Sequence, residues 1–209
     1  MGEIGLFPLG IVLLPGERVP LHIFEERYKE LIGECLARGV EFGLVLGDRS
    51  GIREAGTRAA VVEVLRRFPD GRMDVVVEGR SRFRVVRVLH RRSFLTATVE
   101  DLDDEEGEPA GDPAIDRCLA AYRKVAEAVE VEPEDFDRTA RGLSFLVAGR
   151  IELGVEAKQE LLEMRSERFR LLRLAELLEG LVDLLERRRV VRERAAGNGQ
   201  VIPLGEGAG

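Results

Sequence analysis

The spacing of apolar residues changes along the chain, and each change marks a predicted element. Two apolar runs, Leu6–Leu14 and Val19–Phe24, lie on either side of Pro15-Gly16 and predict two short strands joined by a tight turn. The next segment has the three-and-four spacing of a helix with one buried face, at Tyr28, Leu31, Ile32, Cys35 and Leu36. The opening unit is therefore predicted to be strand, turn, strand and helix.

More strands are predicted after this helix. Gly39 is the expected left-handed cap of the helix, and Phe42–Leu46 has the pattern of a buried strand. Gly56–Phe68 and Met73–Val77 flank a Pro-Asp-Gly turn, which predicts a hairpin.

The strand pattern continues to residue 99. We expect a short turn at Glu78-Gly79 and then a strand over Arg80–Leu89, in which arginines alternate with other residues. The alternation slips by one residue at Val85-Val86, as a β-bulge would produce. Phe94–Val99 is predicted to be a further strand.

An acidic segment with two prolines and two glycines, residues 100–113, separates two different halves of the chain and is typical of a solvated linker. Beyond it the apolar spacing is helical, and we expect helices over Ala114–Val131, from Pro133 to Gly154, over Glu156–Met164 and over Ser166–Arg192. The predicted division is a β lobe (1–100), an acidic linker (101–113), an α-helical lobe (114–194) and a flexible tail (195–209).

Composition narrows the class of protein. The formal charge of -7 over 209 residues argues against a surface made as a whole for nucleic acid. No apolar run approaches the ~20 residues of a membrane span, and no secretory leader is recognisable, so we expect a cytoplasmic protein without membrane contact. Cys35 and Cys118 lie in apolar helical contexts and are expected to be reduced packing residues.

No combination of residues predicts catalysis. The chain has no phosphate-binding loop, no dinucleotide fingerprint and no G-x-S-x-G elbow. His22 and His90 have no partner at metal-ligand spacing, so we expect structural roles for both. Ser144 and Lys158 lie in different predicted helices without a glycine-rich oxyanion loop, which argues against a serine–lysine pair. We therefore predict no catalytic, metal-binding or cofactor-binding residues.

Three stretches of the chain resemble the N-terminal substrate-binding domain of Lon proteases. Leu6–Ile32 is similar to the family's opening P-L-x-x-V-x-x-P-G-x-x-x-P-L followed by a helix. Val61–Val86 is similar to the family hairpin that ends in V-x-G-x-x-R, and Ala157–Glu163 resembles the K-Q-x-L-L-E segment that opens the last helices. In order and spacing the resemblance extends to about Arg192.

The resemblance implies an α+β fold, with a PUA-like, mostly antiparallel β lobe that contains one helix, followed by an α-helical bundle lobe. In Lon this domain recognises substrates, whereas the ATPase and the serine–lysine peptidase lie further along the chain. We expect the stand-alone form of the domain here, without those parts, and hence a non-enzymatic module. The partners that it implies are unfolded or exposed protein segments, together with a protease that receives them.

Two kinds of contact with a protein partner are expected: apolar contact in the cleft between the lobes, and an exposed strand edge that accepts an extended peptide. Gly5–Phe24 and Tyr28 are expected to lie mainly in the core. The candidate partner-binding residues are outward-facing groups: Arg27, Lys29, Arg82 and Arg84. The alternative is an RNA-binding PUA-like protein that uses the basic stripe from Arg80 to Arg92, although charged outward faces are ordinary in antiparallel sheets.

Overall fold

The computed structural model describes residues 2–49, 51–105 and 110–197. Within these ranges the chain forms the following elements: β1 (Gly2–Leu9), β2 (Arg18–Ile23), α1 (Glu26–Arg38), β3 (Phe42–Asp48), β4 (Gly51–Arg67), β5 (Met73–Leu89), β6 (Thr96–Asp101), α2 (Asp112–Ala128), α3 (Leu143–Ala148), α4 (Val155–Glu163) and α5 (Glu167–Gly197). Residues 106–109 of the predicted linker and residues 198–209 of the predicted tail lie outside the described residues.

The strands form one sheet in the order β2-β5-β4-β3-β1-β6, and β6 pairs in addition with β5. The extra pairing closes five strands into a barrel and leaves β2 at an edge. The length of β5 permits both pairings, because residues 73–78 pair with β2 and residues 83–89 pair with β6. All pairings are antiparallel except that of β1 with β3. The predicted α+β class, with a mostly antiparallel β lobe, is confirmed.

The two predicted opening strands and the turn at Pro15-Gly16 are present, but the first strand ends before the turn and the two strands do not pair with each other. β1 ends at Leu9 and lies between β3 and β6, whereas β2 pairs with β5. The residues between them leave the sheet, yet Val12, Leu13 and Leu14 are buried. Val12 and Leu14 pack into the apolar cluster of the helical lobe, and Leu13 packs against the sheet and α1. A buried connection of this kind has the same apolar composition as a strand, which explains the error.

The predicted turn at Glu78-Gly79 is also absent, because β5 continues through both residues. The glycine is required by a close approach of the backbone instead. Gly79 donates its N–H to the carbonyl of Glu17 and accepts a hydrogen bond from the N–H of Gly16, both at 2.9 Å. A Cβ atom on Gly79 would collide with the carbonyl oxygen of Leu14.

Several other predictions for the β lobe are confirmed. α1 buries Tyr28, Leu31, Ile32 and Cys35. The helix ends at Gly39, whose φ of 63° gives the left-handed cap. β3 begins at Phe42 and is buried over its first five residues, and β4 and β5 form the predicted hairpin. A register shift between Val85 and Arg87 in the pairing with β6 is the predicted bulge.

The helical lobe differs from the prediction in its second helix. Helical structure resumes at Leu143 rather than near Pro133. Glu130 and Gly142 both have left-handed backbone conformations, with φ of 58° and 68°, and neither conformation can continue a helix. Gly154 was predicted to end a helix, but it is the extended residue that precedes α4. No helix among the described residues is long and apolar enough to cross a membrane.

The two halves of the chain share an apolar core. One cluster lies between α1 and the sheet. The other fills the space among α2, α3, α4 and α5, and it also contains Val12, Leu14 and Leu46 from the first half of the chain. The halves are therefore packed against each other as well as connected by the acidic segment. The exact limits given above for lobes, linker and tail stay predictions.

Candidate functional site

The boundary between the two halves is where the three motif-bearing stretches meet. The carboxylate of Glu17 accepts hydrogen bonds from the N–H of Leu14 at 2.9 Å and from Nζ of Lys158 at 2.5 Å. Glu17 is only 8% exposed, so this ion pair is largely shielded from water. Together with the backbone contacts of Gly79, it holds the turn at Pro15-Gly16 against α4. Side chains fill the boundary at this point, and partner binding in a cleft between the lobes stays a prediction.

A second polar cluster on this boundary contains Arg82 and Arg170. Arg170 is fully buried, and its two terminal nitrogens donate to the Asp104 carboxylate at 2.8 and 2.7 Å. Arg82 donates to the same carboxylate at 2.5 Å and to the backbone carbonyls of Leu162 and Met164 at 2.9 and 2.6 Å. Both guanidinium groups are satisfied inside the protein, as buried charges require.

Electrostatics in this cluster favour the charged form of the carboxylate. Burial alone would raise the pKa of Asp104, but the hydrogen bonds and charges of Arg170 and Arg82 outweigh that effect and lower it. The ring of Phe145 lies under both guanidinium groups, 4.2 Å from Arg170 and 5.2 Å from Arg82. The cluster joins β5, α5 and the segment after β6.

The expectation that Arg82 faces outward is wrong. Arg82 is 7% exposed, because the helical lobe covers this part of β5. Lys29 is also mostly enclosed, with 18% of its side chain exposed. It pairs with Glu26 and donates to the carbonyl of Asp70 at 3.1 Å, which ties α1 to the turn between β4 and β5.

Arg27 and Arg84 remain about half exposed and have internal partners. Arg27 pairs with Glu25 and lies 4.6 Å from the centre of the Tyr28 ring. Arg84 pairs with Glu100. Within the described residues, no hydrogen bond or ion pair joins the four candidates to one another. A role for any of them in partner binding stays a prediction.

The basic stripe from Arg80 to Arg92 is largely neutralised within the protein. Its ion pairs are Arg80 with Glu78, Arg82 with Asp104, Arg84 with Glu100, and Arg92 with Glu30 and Glu34. Among the described residues, the arginines of the stripe without an ion pair are Arg87 and Arg91. The free positive charge is therefore smaller than the sequence suggests, and no contact in the described part of the chain specifically favours RNA.

A group of three aromatic rings, of which two are exposed and Phe68 is half-buried, lies where β2 ends and where β4 turns into β5. This aromatic patch consists of His22, Phe24 and Phe68. The rings of His22 and Phe24 stack with centroids 5.9 Å apart and planes inclined by 20°, and Phe68 meets His22 edge-on at 5.9 Å. Nδ1 of His22 lies 2.5 Å from Oδ1 of Asp74, which fixes the orientation of the ring. Phe24 is 60% exposed.

Two irregularities in β4 add exposed apolar surface to this end of the sheet. The pairing of β4 with β5 shifts register around Val62 and around Leu65. Both residues are left without a paired position and are exposed, at 38% and 53%. Exposed apolar side chains grouped in this way are a feature of interaction surfaces.

The sequence prediction missed the aromatic patch, because it placed Gly5–Phe24 mainly in the core. The alternation of inward-pointing and exposed residues along β2 could have indicated the patch. Val19, Leu21 and Ile23 point inward, and the intervening residues, Pro20, His22 and Phe24, are exposed. A proline in the exposed set is also typical of an edge strand.

Metal binding and thiol chemistry receive no support from the described residues. They contain no group of three His, Cys, Asp or Glu side chains that could hold a metal ion. Cys35 and Cys118 are free and buried. Burial raises the pKa of Cys35 to about 11 and that of Cys118 to about 12, so both are protonated thiols at neutral pH.

The model of the ATP-dependent protease La (LON) substrate-binding domain matches residues 3–180. The chain belongs to this family. The Lon protease of Rhizobium meliloti (strain 1021) is 28% identical over 203 residues, which cover 88% of this chain and 25% of that protein. Lon protease 2 of Herpetosiphon aurantiacus is 30% identical over 200 residues, which cover 88% and 24%. The chain thus spans about a quarter of the length of these curated relatives.

Solved structures of Lon N-terminal domains have the same fold. The Lon N-terminal domain protein from Xanthomonas campestris matches with a TM-score of 0.61 at 24% identity, over 82% of this chain and 95% of that chain. The N-terminal domain of the Mycobacterium avium complex Lon protease matches with a TM-score of 0.63 at 18% identity, over 87% and 98%. Membership of the Lon substrate-binding family supports a role in substrate recognition.

Proposed function

We propose that this protein is a non-catalytic recognition module that binds exposed or unfolded segments of other proteins through the aromatic patch. The observation that carries the proposal is the exposure of Phe24, which keeps 60% of its surface accessible beside a histidine ring that Asp74 holds in place. The family's substrate-binding character supports the same role.

The physical basis is burial of apolar surface on both partners. Full burial of a phenylalanine side chain contributes roughly 1.5–3 kcal/mol, and stacking against a further ring adds to it. The ring of His22 already contacts those of Phe24 and Phe68, so little side-chain freedom is lost on binding. Such a surface accepts many apolar segments without demanding one sequence, as recognition of unfolded chains requires.

The free edge of β2 supplies a second kind of contact. β2 pairs with β5 on one side, and no described strand pairs with its other side, so an extended segment can add there. Pro20 has no N–H to donate, which removes one backbone hydrogen bond from that edge. Affinity therefore depends mainly on the side chains of the patch, while the edge orients the segment.

We also propose that the module acts in the cytoplasm and passes bound segments to a protease or competes with Lon for them. The part of Lon that this chain matches is the substrate-binding domain, and the proposal gives it no peptidase activity. Turnover of casein by the purified protein, without another protease, would contradict that assignment.

Calorimetric titration tests the role of the patch. The full chain is titrated with a reduced, carboxymethylated protein that cannot fold, and with the same protein in its folded, disulfide-bonded form. We expect binding to the unfolded form and none to the folded form. Phe24→Ala is expected to weaken binding by about tenfold, since it removes roughly 1.5 kcal/mol of apolar contact.

Phe169→Ala is the matched control, because Phe169 is 61% exposed but lies on α5, away from any described aromatic contact. It should retain the affinity of the unsubstituted protein. Circular dichroism of each variant verifies the fold. Unchanged affinity of Phe24→Ala, or an equal loss of affinity in Phe169→Ala, would show that the aromatic patch is not the binding surface.

A further inference from the structure

The carboxylates around the aromatic patch are already engaged within the protein. Asp74 is bound to His22 at 2.5 Å, and Asp70 accepts hydrogen bonds from the side chain and the N–H of Arg72 at 2.7 and 3.2 Å. On the side of α1, Glu25 pairs with Arg27 and Glu26 pairs with Lys29. The pairs with Arg72, Arg27 and Lys29 are neutral overall, whereas Asp74 keeps one negative charge beside a neutral His22.

Arg66 differs from these groups. It lies opposite Asp74 in the pairing of β4 with β5, in the same cross-strand row as His22. Asp74 is bound to His22, and Arg66 has no ion pair with any residue that the structure describes. Its guanidinium lies 4.6 Å from the centre of the Phe68 ring instead. Arg67, the next residue, is exposed and likewise has no ion pair in the described ranges.

Two acidic side chains could oppose these arginines: Asp74, which lies directly opposite Arg66, and Glu63, which lies further along the sheet. Glu63 is exposed and has no ion pair within the described residues, but it lies opposite Val76, in the row of Pro20 rather than that of His22. At this end of the sheet the two positive charges of Arg66 and Arg67 therefore exceed the one negative charge of Asp74, on a protein whose formal charge is -7.

We infer that the aromatic patch selects apolar segments that carry a carboxylate next to the apolar residues, and that Arg66 binds this carboxylate. The inference rests on the proposed function of the patch and names the class of segment that it takes. An apolar side chain of the segment packs on Phe24, and the adjacent aspartate or glutamate accepts hydrogen bonds from Arg66, with Arg67 adding positive charge.

The arrangement of Arg66 suits this role. A guanidinium has a planar set of donors that can bind a carboxylate through two parallel hydrogen bonds. Contact with the Phe68 ring restricts the side chain before a ligand arrives and leaves the donor edge free for a carboxylate. The pair is at the surface, so its contribution is modest, and a preference of about three- to fivefold is expected.

Fluorescence anisotropy with three labelled peptides tests the inference. The peptides share one apolar core and differ only in the residues that flank it, which are glutamate, glutamine or lysine. The full chain is expected to bind the glutamate peptide most tightly and the lysine peptide least, and the differences should shrink at high salt. A protein with a charge of -7 that attracted peptides through its overall field would give the opposite order.

Arg66→Glu should reverse the order, so that the lysine peptide binds more tightly than the glutamate peptide. The matched control is Arg87→Glu, because Arg87 is also an exposed arginine without an ion pair in the described residues but lies in the half of β5 that pairs with β6. The control variant should keep the order of the unsubstituted protein. Circular dichroism verifies that both variants fold.

The outcomes separate the inference from the proposed function. Equal binding of the three peptides overturns the charge preference and leaves apolar recognition by the patch intact. A reversal in both variants also overturns it, because the effect then follows net charge rather than Arg66. If none of the peptides binds, the proposed function fails together with the inference.

Discussion

The carboxylate of Asp104 is the anion that Arg82 and Arg170 share, and it reaches them from the segment that follows β6. Removing a guanidinium from water costs several kcal/mol unless a partner compensates for the lost hydration. Asp104 contributes to this compensation for both groups, and Glu167 pairs with Arg170 in addition. Asp104 therefore fixes the segment after β6 against α5.

Asp104→Asn is expected to lower the free energy of unfolding at neutral pH by about 2 kcal/mol. Removing one partner of a fully buried pair costs about 3–5 kcal/mol, but 38% of the Asp104 side chain is exposed and water screens part of the loss. Urea unfolding monitored by circular dichroism measures the change. Asp103→Asn makes the same change of charge at a carboxylate without a described hydrogen bond, and it should cost less than about 0.5 kcal/mol.

The same substitution predicts a pH dependence. The pKa of Asp104 is lowered in the folded protein, so its contribution is fully present above the unfolded value of ~3.9 and is lost as pH falls through the folded value. The gap in unfolding free energy between the unsubstituted protein and Asp104→Asn should therefore close below about pH 4. A gap that stays constant down to lower pH, or an equal gap for Asp103→Asn, would contradict the role of Asp104.

Arg82 shows why residue roles at this boundary were not predictable from sequence. The alternation around it correctly indicates a strand. It cannot indicate that α4, far along the chain, reaches that part of the strand, and that Leu162 of α4 and Met164 directly after it supply carbonyls to Arg82. A charged residue in an alternating pattern therefore looks outward-facing until the whole fold is known.

At the scale of single elements, the sequence was informative where the structure depends on local geometry. The buried face of α1 and its cap at Gly39 follow from spacing and from the freedom of glycine at positive φ. Gly79 was misinterpreted, because its requirement comes from the backbone of Leu14 more than sixty residues earlier. A glycine between apolar residues can mark either a turn or a point where another backbone approaches the strand closely, and a single sequence does not distinguish the two.

Gly33 inside α1 and Gly39 directly after it give opposite predictions for replacement by alanine. Gly39→Ala should destabilise the protein by about 1 kcal/mol, because its φ of 63° is unfavourable for a residue with a Cβ. A Cβ there meets no atom within 4 Å, so the cost is one of backbone conformation alone. Gly33→Ala, inside the helix and equally free of clashes, should stabilise by about 0.5–1 kcal/mol. Thermal unfolding measures both, and shifts of the same sign would contradict the argument.

At the scale of the whole molecule, the aromatic patch and the lobe boundary are formed by different residues. Of the motif-bearing residues, Glu17 and Lys158 pair across the lobe boundary, and Gly79 holds the backbone of Gly16 and Glu17 within the β lobe. The aromatic patch requires the end of β2 and the turn after β4 to meet through β5. His22 and Phe68 are far apart in sequence, so no local pattern predicts their contact. The resemblance to the Lon domain therefore predicted the architecture, whereas the aromatic patch could be recognised only from the folded structure.

The shared core predicts that both lobes unfold in one step, and two tyrosines can test this. The chain has no tryptophan and two tyrosines, Tyr28 in α1 and Tyr122 in α2. Tyr122→Phe leaves a fluorophore in the β lobe, and Tyr28→Phe leaves one in the helical lobe. In each variant the fluorescence and circular dichroism midpoints in urea should coincide, because Val12 and Leu14 pack among the helices.

Lys158→Ala sharpens this test by leaving the enclosed carboxylate of Glu17 without its cation. In either tyrosine background it should lower the free energy of unfolding by about 2 kcal/mol. The urea midpoints measured by fluorescence and by circular dichroism should fall together. Arg173→Ala breaks a more exposed pair with Glu160 inside the helical lobe and should cost less than about 1 kcal/mol. If Lys158→Ala separates the fluorescence midpoint from the circular dichroism midpoint, the lobes fold as independent units and the boundary is a docking contact rather than a common core.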